Sequence, residues 1–235
     1  MSITLYTSRL CPWAHRAHIA LSELGLDYTE VPIDLTKPRE PWYLEINPRG
    51  LVPSMKYNDQ IITESAIVST FLTDLKENHL VPFPGTPEAA LKRAKINFFV
   101  DTYIGKAQSL VHSVLTTTDA ATKAQRANEY VDVIDKQLAP LLADAKPFFG
   151  GSSKLTLAEV LTASFVIRLY SYAKPGIELF PQEALDRIRK IENWQKWADA
   201  VMAHESVVGI YKEEDVIAGL KRLLAKSAAA AAEKK

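Results

Sequence analysis

"RLCPWAHRAH", residues 9–18, contains the only cysteine of the chain, Cys11. The run before it, "ITLYT" (3–7), has the β-branched and aromatic content of a short strand. After Pro12, Ala17, Ala20, Leu21 and Leu24 recur at helical spacing, and Gly25 suits the left-handed residue that ends a helix. The stretch therefore reads strand, tight loop, helix, with Cys11 at the N-cap. Pro12 takes the first helical position, where its φ is preset and its missing N–H removes no bond. The amides of Trp13 and Ala14 then face the sulfur, and with the helix dipole they favour a thiolate. Arg9, His15 and Arg16 are close in sequence and add positive potential. The expected thiol pKa lies below the ordinary value of about 8.5.

Working outward, "YTEVPIDL" (28–35) reads as a second strand, with Pro32 pointing to a sheet edge. "LVPSMKY" (51–57) and "QIIT" (60–63) flank Asn58-Asp59 as a hairpin. Residues 64–76 are helical, with Ile67, Phe71, Leu72 and Leu75 on one face. The order is β-α-β, an irregular middle, then β-β-α. "HLVPFPGTPEAA" breaks the pattern with three prolines and a glycine. Beyond it the chain is all-helical, over about 88–115, 119–145, 157–172, 182–203 and 213–226. Thr156 and Glu159 form a capping box, flanked by Leu155 and Val160 as a hydrophobic staple. The expected layout is an α/β domain over 1–79, a linker over 80–87, an all-helical domain over 88–226 and a low-complexity Ala-rich tail over 227–235.

Composition bounds the function. In 235 residues, 47% are hydrophobic and 24% charged, as in an ordinary globular protein. The 28 basic residues match 28 acidic ones, which gives no electrostatic reason to expect nucleic acid or anionic membrane as partner. No run approaches the roughly 18 apolar residues of a membrane span. The first residues lack the charged and apolar regions of a secretory signal. One cysteine makes no internal disulfide, so a reducing, cytoplasmic setting is expected.

Three readings of Cys11 compete. It is a small buried apolar residue, a metal ligand with His15 and His18 on one helical face, or a nucleophile. The strand–Cys–Pro–helix context weighs against the first. The absence of a second cysteine or of a further histidine cluster weighs against the second, so no metal is expected. His15 and His18 then read as residues of a solvated helix face. Ala14 stands where a C-x-x-C motif has its resolving cysteine, so any redox cycle needs an external thiol, and glutathione is the abundant one. Two other segments suit a thiol peptide. Val52-Pro53 is either an ordinary edge proline or a cis bond that turns the Val52 backbone outward to pair with a short peptide. Glu64 and Ser65, in "ITES" (62–65), are either plain helix caps or holders of an ammonium and a carboxylate at a helix N-terminus.

Taken together, strand–"CPWAHR"–helix, "NPRGLVP", "TESAI", a proline-rich linker and an all-α half resemble the cytosolic glutathione transferases over about residues 3–225. Cysteine followed by proline and an aromatic is most similar to the omega class. The resemblance implies a thioredoxin-like first domain, glutathione as co-substrate and a homodimer. It also implies a thiol transferase and reductase working through a mixed disulfide of Cys11, with a small electrophile, a disulfide or dehydroascorbate as acceptor. Residue by residue, Val52 ahead of cis Pro53 pairs with the cysteinyl part, and Glu64 and Ser65 hold the γ-glutamyl group. Arg39, or Lys37 beside it, meets the glycine carboxylate, and Trp13 walls the pocket. Tyr6 and Ser8 resemble the hydroxyl residues of other classes but read as strand and loop. "CPWAHR" is also similar to the glutathionyl-hydroquinone reductases, whose chains carry an N-terminal extension before the first strand. The same fold also hosts conjugating transferases and non-enzymatic ligand-binding or interaction proteins, and both readings stay open on the sequence. By position along the helical half, Tyr103, His112, Tyr170 and Tyr172 are the expected acceptor-pocket residues.

Overall fold

A computed structural model describes residues 2–232. The first part holds β1 (Ile3–Thr7), α1 (Pro12–Glu23), β2 (Thr29–Pro32), α2 (Pro41–Ile46), β3 (Ser54–Tyr57), β4 (Gln60–Thr63) and α3 (Ser65–Asp74). Its strands make one mixed sheet in the order β2-β1-β3-β4. β2 runs parallel to β1, and β3 and β4 run antiparallel. This is the thioredoxin-like arrangement. Along β1 burial alternates, with Ile3, Leu5 and Thr7 inside, as the period of two requires. Pro32 ends the edge strand opposite Thr7, where a missing donor costs least. α1 closes with Gly25 at φ 58°. The Gly25 amide bonds the Ser22 carbonyl and the Leu26 amide bonds the Leu21 carbonyl, both at 3.1 Å, a Schellman termination. α2 lies in the stretch that reads as irregular. Six residues are too few for periodicity to register, and its cues are a proline in the first turn and a buried Tyr43.

The rest is helical: α4 (Pro87–Thr102), α5 (Ser109–Thr116), α6 (Ala120–Val133), α7 (Leu157–Tyr172), α8 (Gln182–Ile188), α9 (Glu192–Ala203), α10 (Glu205–Val208) and α11 (Glu213–Ala232). The long runs of the sequence are subdivided. A π-helical turn at Tyr103–Gln108 joins α4 to α5, and another at Ile134–Leu138 follows α6. A π turn adds a residue without interrupting the apolar pattern, so sequence periodicity does not reveal it. Of the Ala-rich tail, residues 227–232 prolong α11 and residues 233–235 lie outside the described residues.

α7 is the axis of the helical part, buried along its whole length. Its capping box is formed as the sequence predicts, and the staple residues Leu155 and Val160 are both buried. α7 packs against α1 and α3, and the Leu157 amide bonds the Leu80 carbonyl at 2.7 Å. This packing sets the helical part against the first turn of α1, where Cys11 sits.

Candidate active site

Cys11 occupies the turn between β1 and α1. Its amide bonds the Ser8 carbonyl at 3.0 Å and its carbonyl accepts from His15 at 3.1 Å. It is the N-cap in extended conformation (φ −81°, ψ 122°), with Pro12 first in the helix. The thiol donates to the Val52 carbonyl at 3.9 Å. It opens into a cleft of about 330 Å³ that Trp13, Arg39, Val52, Pro53, Glu64 and Ser65 also line. The Val52-Pro53 bond is cis. The Val52 amide bonds no partner among the described residues.

Two buried arginines flank the cysteine. Arg16 donates from Nη1 to the Ser65 hydroxyl at 3.1 Å. Its guanidinium lies 4.6 Å from the Trp13 ring centroid and 4.9 Å from that of Phe165. Burial draws its pKa down to about 9. Arg168, from α7, donates to the carbonyl of Leu10, the residue before Cys11, at 3.3 Å. No sequence spacing links Arg168 to Cys11. The only signal is an arginine inside an otherwise apolar helix. Arg9, by contrast, is spent at the surface in a two-pronged pair with Glu30, at 2.9 and 2.7 Å.

These surroundings correct the expected acidity of the thiol. Burial pushes the Cys11 thiol up, against the Ala14 and Trp13 amides and the charges of Arg168 and Arg16, which pull it down. The protein crowded around the half-buried sulfur thins the water about it, and desolvation outweighs the favourable contacts. In the free protein the thiolate fraction is therefore small at neutral pH and grows as pH rises. Iodoacetamide alkylation of free Cys11 is expected to climb through a midpoint above about 8.5; a midpoint lower than that in a pH–rate curve would contradict this balance.

His15 and His18 are buried, which corrects their reading as a solvated face. The His18 ring bridges the Thr7 and Tyr28 hydroxyls, 2.9 Å from each, and burial lowers its pKa to about 4. Among the described residues no three His, Cys, Asp or Glu side chains are placed to hold a metal ion.

At the far end of the cleft, Glu64 precedes α3 with φ 69°. That left-handed conformation is unusual for a residue with a Cβ and clusters at functional sites. Its carboxylate pairs with Arg49, which the sequence did not single out. Ser65 is buried below it. Arg39 lines the cleft, but its guanidinium donates to the carbonyls of Gly50 (2.9 Å), Asp34 (2.7 Å) and Lys37 (2.6 Å). It clamps the two loops around α2 together. Gly50 is at φ 62°, and a Cβ there would stand 2.9 Å from Arg39 Cγ, so the clamp closes only over glycine. Lys37 is exposed and 3.4 Å from Asp34. Tyr6 packs against Trp42 and Tyr43.

The four acceptor-pocket candidates are not gathered in this cleft. Tyr103 is wholly buried and stacked on Trp194, with centroids 6.2 Å apart. Tyr170 is buried and bonds Gln195 at 2.8 Å, Tyr172 is buried, and His112 is exposed on α5. The tyrosines lie in the buried face that holds the helices together, which chain position alone does not reveal. The helical residues that reach the cysteine's surroundings are Phe165, whose ring meets Trp13 edge-on at 4.7 Å, and Arg168.

Residues 10–75 match the family profile described as glutathione S-transferase, N-terminal domain. Glutathione S-transferase omega-1 of Rattus norvegicus is 26% identical over 200 residues, which covers 82% of this chain and 74% of that protein. The structure superposes on glutathione transferase Omega 1C of Trametes versicolor with a TM-score of 0.77 at 25% identity, covering 95% of this chain and 97% of that one. It also superposes on rice GST1, solved in complex with glutathione, with a TM-score of 0.78 at 23% identity, covering 96% and 97%. The fold, the cleft and these relatives agree: residues 10–75 match the glutathione S-transferase N-terminal domain family, and over most of its length the chain is similar to omega-class glutathione transferases.

Proposed function

We propose that this protein is a glutathione-dependent thiol transferase and reductase that works through Cys11. The observation that carries the reading is the sole cysteine at a helix N-terminus, opening into one cleft with Val52, Glu64 and Ser65. The unpaired Val52 amide suits the backbone of the cysteinyl residue of glutathione. The Ser65 hydroxyl, which accepts from Arg16, is left to donate its own proton to the γ-glutamyl carboxylate. Glu64 is the acceptor for the γ-glutamyl ammonium. Arg39, which lines the cleft while it clamps the loops, is the cation for the glycine carboxylate, with Lys37 beside it.

The chemistry follows. The Cys11 thiolate attacks the glutathione sulfur of a mixed disulfide. A Cys11–glutathione disulfide forms, the bond to the substrate sulfur breaks, and the substrate leaves as a thiolate that takes a proton from water. The thiolate of a second glutathione attacks the glutathione sulfur on Cys11, releasing oxidised glutathione and the Cys11 thiolate. The raised thiol pKa of the free protein makes ionisation part of the cycle. The relation to rice GST1, solved with glutathione, supports the co-substrate, and the omega relatives support the class. The test is mass spectrometry of the protein after exposure to oxidised glutathione, together with turnover of a glutathionyl mixed disulfide. No adduct on Cys11, with conjugation of chloronitrobenzene intact, would favour the conjugating reading instead.

The same proposal extends to assembly as a homodimer. Ile61, Ile67, Leu91 and Phe98 on β4, α3 and α4 are exposed apolar side chains. Of the apolar linker residues, Leu80 and Val81 turn inward and Phe83 stays outside. Light scattering is expected to read the mass of two chains at micromolar concentration, and a single-chain mass would refute it. Among the described residues no helix is long and apolar enough to cross a membrane.

A further inference from the structure

Arg168 is buried near the middle of α7, and no carboxylate pairs with it among the described residues. Buried guanidinium groups ordinarily have a counter-charge. Its bonds instead go to three neutral acceptors. These are the Ser164 carbonyl on its own helix at 2.9 Å, the Leu10 carbonyl at 3.3 Å, and Nδ1 of His15 at 3.0 Å. Its guanidinium lies 5.2 Å from the Tyr211 ring centroid. The Leu10 and His15 bonds bracket Cys11 from either side along the chain. The anion best placed to balance Arg168 is therefore the ionised cysteine.

His15 is wholly buried, one helical turn beyond Cys11, with its ring parallel to Tyr211 at 6.4 Å. A guanidinium has donors only, so Nδ1 must be the acceptor and the single ring proton sits on Nε2. The groups that face the ring are Arg168 from α7, His18 from its own helix, Tyr211 before α11 and the Val207 backbone of α10. None is anionic, and a second ring proton would point at a positive charge. Arg16 and Arg168 are the charges that face Cys11.

We propose that His15 is a positioning residue: as a neutral acceptor it aims the Arg168 guanidinium at the Leu10–Cys11 turn and so sets the positive field that meets the Cys11 sulfur. This rests on the reading of Cys11 as the reactive thiolate. A residue that only filled space would be replaced without effect by a ring of similar size.

His15→Phe keeps the ring beside Tyr211 and removes the acceptor, whereas His15→Gln restores an acceptor. The readout is the pH dependence of iodoacetamide alkylation, which reports on Cys11 alone because the chain has one cysteine. In His15→Phe the midpoint is expected to rise by about one pH unit, with alkylation near neutrality about tenfold slower. In His15→Gln most of that loss is expected to be recovered. A folded His15→Phe protein whose profile stays in place or moves down would overturn the proposal. A measurement on the unaltered protein decides the case even if the variants do not fold. Its ¹⁵N spectrum is expected to show His15 as the neutral Nε2–H tautomer at the ordinary histidine midpoint of about pH 6.5 and above, and an Nδ1–H tautomer or a protonated ring there would refute the assignment. Failure of the thiol-transferase reading would look different: a displaced alkylation profile in His15→Phe, but no glutathione adduct on Cys11 in the unaltered protein.

Discussion

Cys11→Ser is expected to lose at least about a thousandfold in turnover of glutathionyl mixed disulfides, with the fold intact. Serine has no sulfur with which to form the intermediate disulfide, and no other cysteine in the chain can take its place. The substitution changes little else. The thiol makes one weak bond, to the Val52 carbonyl, and Cys11 is half-buried rather than packed in the core. The helix start depends on Pro12 and on backbone bonds that serine retains. A serine hydroxyl would still face the first-turn amides and the two buried arginines. In that setting it can donate to the sulfur of bound glutathione, so conjugation of chloronitrobenzene is expected to appear or rise. Parallel assays of both reactions, with circular dichroism as the check on folding, test this. Mixed-disulfide reduction at the unaltered rate would remove Cys11 from the mechanism.

Glu159→Ala is expected to be the most destabilising substitution outside the cleft, by about 3–5 kcal/mol. The Glu159 carboxylate is wholly buried. Its Oε2 accepts from the Thr156 amide and hydroxyl, both at 2.7 Å. Its Oε1 accepts from the Phe149 amide at 2.8 Å and the Trp197 indole at 2.7 Å. Alanine would strand all four donors away from water and open the join between α7, α9 and the 148–152 turn. Glu159→Gln keeps one acceptor oxygen but turns an amide N–H₂ toward donors, so an intermediate loss is expected. Loss of the Thr156 hydroxyl alone removes the cap acceptor and one of the four donors, and should cost only about 1–2 kcal/mol. Urea unfolding followed by tryptophan fluorescence reads the series. A Glu159→Ala midpoint no lower than that of Thr156→Ala would mean the carboxylate is not the hub this geometry describes.

Glu159 also marks the boundary between local and global information. Its capping box is legible because Thr156 and Glu159 are three residues apart, within the reach of one helical turn. The bonds from Phe149 and Trp197 are not, because they depend on which surfaces pack. The same division runs through the cleft. Cys11 with Pro12, the Val52-Pro53 bond and the Glu64–Ser65 helix start rest on rules spanning a few residues, so the sequence alone pointed to them. Other features came only from tertiary packing. Arg39 also clamps loops together, because Gly50 folds back against it. Arg49 met Glu64 across a loop. Tyr103, Tyr170 and Tyr172 went into the helical core, since apolar periodicity tells inside from outside but not core from pocket. Arg168 reached the cysteine from the far half of the chain. The acidity of Cys11 is the clearest case. Near the helix start the sequence contains the Trp13 and Ala14 amides and Arg16, which stabilise its thiolate, whereas Arg168 and the opposing desolvation depend on what the fold brings around the sulfur. Burial is a sum over the whole fold, so its sign relative to those local contacts emerges only once α7 is packed against α1.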